Sequence, residues 1–261
     1  TWYDSLQVKA NKRFSKGLSF TSVFTSQKQL AMGSANSPVN GGAGASAVND
    51  VFNRPQNKYL SLYDQPFLFN TSLSYTVPRM GGNRIVSFAA RDWTVGAFLA
   101  YSSGLPIQAP ASNNALASHL FRGTFANRVP GEPVFTQDLN CHCFDPNKDF
   151  ALNPKAWSDP QGGQFGTAAG YYGDYRFQRR PQESLSLGRT FRIREHGTFN
   201  VRAEFTNVFN RSQMSNPVVA NAAATQTRDA AGKPNAGFGW INTSAVAAPP
   251  RQGTIVARFQ F

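Results

Sequence analysis

The sequence predicts an all-β fold, a segment of an antiparallel transmembrane β-barrel with long outer loops. Three observations carry this reading. Polar and apolar residues alternate with period two in seven stretches. The connections between these stretches run short, long, short, long. No run of 18 apolar residues exists, so a helical membrane span is excluded.

The first stretch is Trp2 to Phe14, with Leu6, Val8 and Ala10 on one face and Gln7, Lys9 and Asn11 on the other. Ser15-Lys16-Gly17 turns it tightly into the second, Leu18 to Gln27. The third runs from Pro66 to Val77, with Phe67, Phe69, Thr71, Leu73, Tyr75 and Val77 in phase. The fourth, "DWTVGAFLAYSSG", aligns Trp93, Val95, Ala97, Leu99 and Tyr101. The fifth is "ESLSLGRTFRI", the sixth "TFNVRAEFTNVFN" and the seventh Arg251 to Phe261. Each has about the 9–11 residues that cross a bilayer at a tilt. The turns at 15–17, "RMGGN" and "REHG" are short. The connections around 30–60, 108–181 and 211–250 are long and rich in Gly, Asn, Pro and Ala. By the usual asymmetry, the short turns are periplasmic and the long loops extracellular. A single-chain barrel with both ends in the periplasm needs an even strand number. Seven strands beginning on the outer side therefore predict further strands upstream of Thr1.

Energetics set the phase. A Lys or Arg on the lipid face costs about 2–4 kcal/mol at the midplane. Arg202, Glu204 and Arg258 must then face the lumen. Phe199, Val201, Ala203 and Phe205 face lipid, as do Ile255, Ala257, Phe259 and Phe261. The fifth strand resists, because Arg189 falls in phase with Leu185, Leu187, Phe191 and Ile193. Either Gly188 marks a bulge that re-aims Arg189, or its side chain snorkels to the periplasmic headgroups. Trp2, Tyr63, Tyr75, Trp93 and Tyr101 lie near strand ends and suit an interfacial girdle.

Composition agrees. The 261 residues are 41% hydrophobic with 22 Phe, 22 Gly and 16 Pro, which suits strands and irregular loops. The net charge is +12, but the basic residues are scattered, so nucleic acid is not an expected partner. The basic surface instead suits phosphate-rich outer-membrane lipid and lipopolysaccharide. Cys141 and Cys143 flank His142. This is half a metal site at most, with no second ligand pair, and a local disulfide is the favoured reading. His119, His142 and His196 are dispersed, and Asp174 and Glu183 have no partner pattern. No cofactor, metal or enzymatic activity is expected.

Several stretches resemble TonB-dependent outer-membrane receptors of the Oar-like group. They are "FNVRAEFTNVFNRSQMSNP", "NDVFNRPQNKYLSLYDQPFLFNTSLSYTVP", "WTVGAFLAYSSGLPI", "LNPKAWSDPQGGQFG" and "ESLSLGRTFRI". The resemblance runs in order over nearly the whole chain. It implies the C-terminal portion of a 22-stranded barrel in the outer membrane of a Gram-negative bacterium. An N-terminal plug and TonB-coupling region are absent from this sequence. It also implies that the terminal strand, with Phe259 and Phe261, is read by the barrel assembly machinery. The implied function is active uptake of a bulky nutrient such as a ferric chelate, glycan or peptide. A passive porin or adhesin barrel and a soluble, secreted glycan-binding β protein are the alternatives. Ligand contact is expected from the 108–181 loop, through Arg122, Arg128, Trp157, Tyr171, Tyr172, Tyr175 and Arg176. The competing reading is that these side chains only pack the loops.

Overall fold

A computed structural model describes residues 1–32, 49–50, 52–78, 87–88, 90–113, 124–141, 143–193, 197–245 and 247–261. Seven long strands form an antiparallel meander in chain order. They are β1 (Trp2–Ser15), β2 (Leu18–Met32), β3 (Phe67–Thr76), β4 (Trp93–Ser102), β5 (Gln182–Ile193), β6 (Gly197–Thr206) and β7 (Gln252–Gln260). A short strand, Lys58–Leu60, continues the sheet beside the end of β2. The sheet is open, with β1 and β7 at its edges. Of the expected short turns, 79–86 and 194–196 lie outside the described residues, as do His119, His142 and His196.

Two boundaries differ from the pattern-based expectation. β2 runs to Met32, well past Gln27, because its outer end pairs with Lys58–Leu60. β6 stops at Thr206, short of Asn210, because Asn207 and Asn210 take left-handed φ of 46° and 51°. The first hairpin turn is Lys16–Gly17, with φ of 51° and 82° at its two residues, as a two-residue hairpin of matching twist requires. A Cβ on Gly17 would lie 2.1 Å from the Thr76 carbonyl oxygen. That carbonyl approach makes glycine necessary there.

Register tests the phase. Residues directly opposite in an antiparallel pair share a face. β6 and β7 pair Phe199 with Phe259, Val201 with Ala257 and Ala203 with Ile255. The other face pairs Asn200 with Arg258, Arg202 with Val256 and Glu204 with Thr254. Arg202, Glu204 and Arg258 thus share one face, and Arg202 meets Glu204 at 2.6 Å. The apolar face continues through Leu185, Leu187 and Phe191 of β5, where Arg189 interrupts it, then through Trp93, Val95 and Ala97 of β4, and Phe69, Leu73 and Tyr75 of β3. It reaches Phe20 and Phe24 of β2, then Leu6, Val8 and Ala10 of β1. On this face the hydroxyls of Ser22 and Thr71 satisfy each other at 2.9 Å. The opposite face carries Lys9, Asn11, Thr21, Asn70, Ser72, Ser186 and Thr190.

Gly188 makes no bulge. β5 pairs with β6 without a register shift from Ser184 to Ile193. Arg189 therefore does lie on the apolar face. Its guanidinium sits over the rings of Phe88, Trp93 and Phe191, 4.7–5.5 Å from their centroids, and donates to the Phe88 carbonyl. An aromatic box near the short-turn end holds the charge and spares it hydrocarbon.

Trp93 and Tyr75 mark the short-turn end of this face, and Trp2 and Tyr101 the long-loop end. Trp93 to Tyr101 spans about 26 Å along the strand, comparable with the ~25 Å apolar band of a membrane barrel. Lys58 Nζ lies 4.0 Å over the Trp2 ring, at the level where headgroups would begin.

The hydrophobic core is not in the sheet. A one-layer wall has lipid on one side and lumen on the other, so it buries little by itself. The buried cluster lies in the long connections, around Ile107, Phe125, Leu152, Trp157, Tyr175 and Phe238. Those connections pack into a separate body at the long-loop end.

Candidate functional site

The loop body hangs from the polar face of the wall. Tyr59 follows the phase of Ala31, on the side of Thr25 and Lys9, and both Tyr59 and Ala31 are buried. The Tyr59 ring meets Tyr171 at 5.9 Å. A Cβ on Gly170 would stand 2.6 Å from the same ring, so only glycine permits this approach. The loops therefore lean over the lumen end of the sheet.

Asn49 ties the body together. Its Nδ2 donates to the Gly166 and Ala168 carbonyls at 2.7 and 2.9 Å. Its Oδ1 accepts from the Phe125 amide at 2.8 Å and from the Thr124 hydroxyl. Asp64 is the second tie. It accepts from the Gln29 amide at 2.7 Å and from Arg176 Nη2 at 2.6 Å. Arg176 also donates to the carbonyls of Asp64, Gly104 and Gly173. The group lines the cleft described below, but its donors are committed to holding three chain segments together.

Three expected ligand contacts are core residues instead. Trp157, Tyr171 and Tyr175 are buried, Tyr175 completely. They are among the largest apolar groups of the long loop, and packing them onto each other builds its core; Trp157 and Tyr175 meet at 5.4 Å. Burial pushes the Tyr175 hydroxyl far above the ordinary phenol range. That hydroxyl and Trp157 Nε1 have no hydrogen-bond partner among the described residues. Arg122 lies outside the described residues.

Arg128, Tyr172 and Asp174 remain at the surface. Arg128 grips Asp174 with both terminal nitrogens, at 3.1 and 2.5 Å. Its guanidinium lies 4.5 Å over the Tyr172 ring. The paired hydrogen bond raises the Arg128 pKa and holds the Asp174 carboxyl below the usual carboxylate range. Desolvation pushes the Tyr172 phenol up. A cleft of about 830 Å³ opens beside this triplet. Its charged lining is balanced, with Arg128, Arg176 and Arg179 against Glu132, Asp138 and Asp174. Such a site suits a polar ligand held by many hydrogen bonds and an aromatic face. Among the described residues no group of three His, Cys, Asp or Glu gathers to hold a metal. Cys141 and Cys143 are joined by a disulfide.

Sequence reasoning missed the partner of Glu183. Glu183 falls in phase with Leu185, on the apolar face, yet is buried. Arg211 Nε donates to both its oxygens, at 3.1 and 2.8 Å, and the Tyr101 hydroxyl adds a bond at 2.9 Å. The available signal was the phase itself, since a carboxylate on a lipid face demands a cation. Which cation could not be read, because Arg211 comes from the connection that follows β6.

An antiparallel wall, apolar on one face and polar on the other, with packed loops at one end, defines a transmembrane β-barrel protein. A family model described as an outer membrane beta barrel domain matches residues 1–254, and the chain belongs to that family. No curated protein and no solved structure matches it. Family membership places the chain in the outer membrane, so the reading as a soluble secreted protein falls away. Among the described residues no helix is long and apolar enough to cross a membrane, which says nothing against strands that cross.

Proposed function

We propose that this chain forms the C-terminal wall and extracellular mouth of an active, TonB-dependent transporter for a bulky nutrient. The observation that carries the reading is the loop body. A passive pore needs an open mouth, whereas here a packed body leans over the lumen end, anchored by Asn49, Asp64 and Tyr59. Such a mouth suits capture of a large ligand that is then released inward by an energised step. In this reading the mixed-charge cleft beside Arg128 and Tyr172 contacts a polar substrate such as a glycan, peptide or chelate. Coupling to TonB would fall to an N-terminal plug, and insertion to the barrel assembly machinery reading Phe259 and Phe261. The Oar-like resemblance points the same way.

The test is uptake by cells carrying the full protein. Active transport predicts accumulation that stops when the proton-motive force is collapsed or TonB is removed. Uptake that continues unchanged without either would establish a passive porin and end the proposal.

A further inference from the structure

We infer that the outer rim of the lipid-facing wall carries a site for the phosphorylated headgroup of an outer-leaflet glycolipid, with Arg179 and Arg211 as its anion-binding groups. The inference rests on outer-membrane placement alone and is independent of the transport reading.

A second cavity, of about 850 Å³, lies at the long-loop end of the wall. Its floor is Phe67, Phe69 and Tyr101, all in the apolar phase of β3 and β4. Phe69 and Tyr101 stack with centroids 6.4 Å apart. These rings stay 38–56% exposed, and Phe209 on the opposing loop is 62% exposed. Apolar rings left open at this height would meet acyl chains. The upper wall is basic. Arg211 lies 5.6 Å over the Phe209 ring and is held there by Glu183 through Nε. Its two terminal nitrogens have no partner among the described residues. Arg179 is exposed, and among the described residues only its backbone amide is tied, to Asn140 at 2.9 Å. Among the described residues no carboxylate lines this cavity, although Arg179 also borders the first cleft with Asp138; Glu183, behind Arg211, is already spent on Arg211 and Tyr101. The cavity therefore combines an acyl-compatible floor with a net positive rim at the membrane's outer surface. A phosphate carried on an acylated sugar complements both features, with forked guanidinium donors above and hydrocarbon below.

The test uses the full protein extracted from outer membranes and reconstituted in phosphatidylcholine nanodiscs. One set contains bisphosphorylated lipid A and the other its dephosphorylated form at equal mole fraction. Native mass spectrometry counts retained glycolipid. Wild type should retain the phosphorylated form about tenfold more, the value of one charge-assisted bond. Arg179→Gln should remove most of that preference. Arg211→Lys, which keeps the Glu183 pair but loses the fork, should reduce it, and Arg179→Lys should restore part of the loss in Arg179→Gln. Arg180, which binds Asn216 outside the cavity, serves as the control through Arg180→Gln. Heat-modifiable gel mobility verifies that each variant is folded. Equal retention of the two lipids by wild type, or an unchanged preference in folded Arg179→Gln, overturns the site.

Discussion

Asn49→Ala should loosen the extracellular loop body and leave the barrel wall intact. The side chain is almost wholly buried and joins three loop segments. Truncation does not orphan every partner. Gln56 Nε2 still donates to the Gly166 carbonyl at 2.9 Å, and the Thr124 hydroxyl still accepts from the Gly166 amide at 2.7 Å. The Phe125 amide, in a nearly closed site, loses its acceptor outright. An orphaned buried amide costs about 1–3 kcal/mol, and the small cavity adds to it. A total of about 2–4 kcal/mol converts to roughly 30- to 1000-fold weaker protection of the loop body against exchange. Hydrogen exchange on the detergent-solubilised protein reads this at Ala109 and Ala126. Their amides donate to the Gly170 and Pro110 carbonyls and do not touch Asn49. Heat-modifiable mobility reads the wall. Unchanged protection would show that Asn49 is not the tie. Simultaneous loss of mobility would show that loop body and wall are one cooperative unit.

Tyr175→Phe removes a buried hydroxyl with no partner among the described residues and should be neutral or stabilising by about 1 kcal/mol. Tyr175→Ala should cost about 3–5 kcal/mol of loop stability, as large-to-small aromatic changes do; equal losses in the two variants would refute the packing role. The Asp174 carboxyl titrates below its unfolded value, so the Arg128 pair adds stability that is present above pH ~3.9 and is lost as pH falls through the depressed value. An acid titration of loop-body exchange should show this transition in wild type and lose it in Asp174→Asn; an identical profile in both would remove the pair from the account. Deleting Phe261 should lower the amount of assembled protein in the outer membrane without changing synthesis, measured by membrane fractionation against total expression. Unchanged assembly would count against a terminal recognition signal.

Seven strands, their order and the lipid face were legible because barrel pattern is local. Side chains alternate with period two, and each misplaced charge carries its own cost, so Arg202, Glu204 and Arg258 set the phase without any knowledge of neighbours. Register then only had to agree, and it did from β1 to β7. Strand ends were less legible. β2 is prolonged by a short partner strand further along the chain, which pairs Tyr59 with Ala31, and β6 is cut short by left-handed asparagines.

By itself, then, the amino-acid order determined the wall and which of its faces is apolar. Only the tertiary structure decided what the long loops do with their aromatic and charged residues. Trp157, Tyr171 and Tyr175 carry the same local signature as Tyr172, yet three are buried and one stays half-buried beneath Arg128. Glu183 finds Arg211 at a separation of 28 residues, and Asn49 reaches Ala168 at 119. Arg189 was ambiguous in sequence because two local devices could rescue it. Neither a bulge nor headgroup contact alone accounts for it: a box of three rings from three chain segments holds the charge. Such pairings have no period along the chain. They follow from which loops the wall brings side by side, and a one-dimensional pattern does not contain that distance.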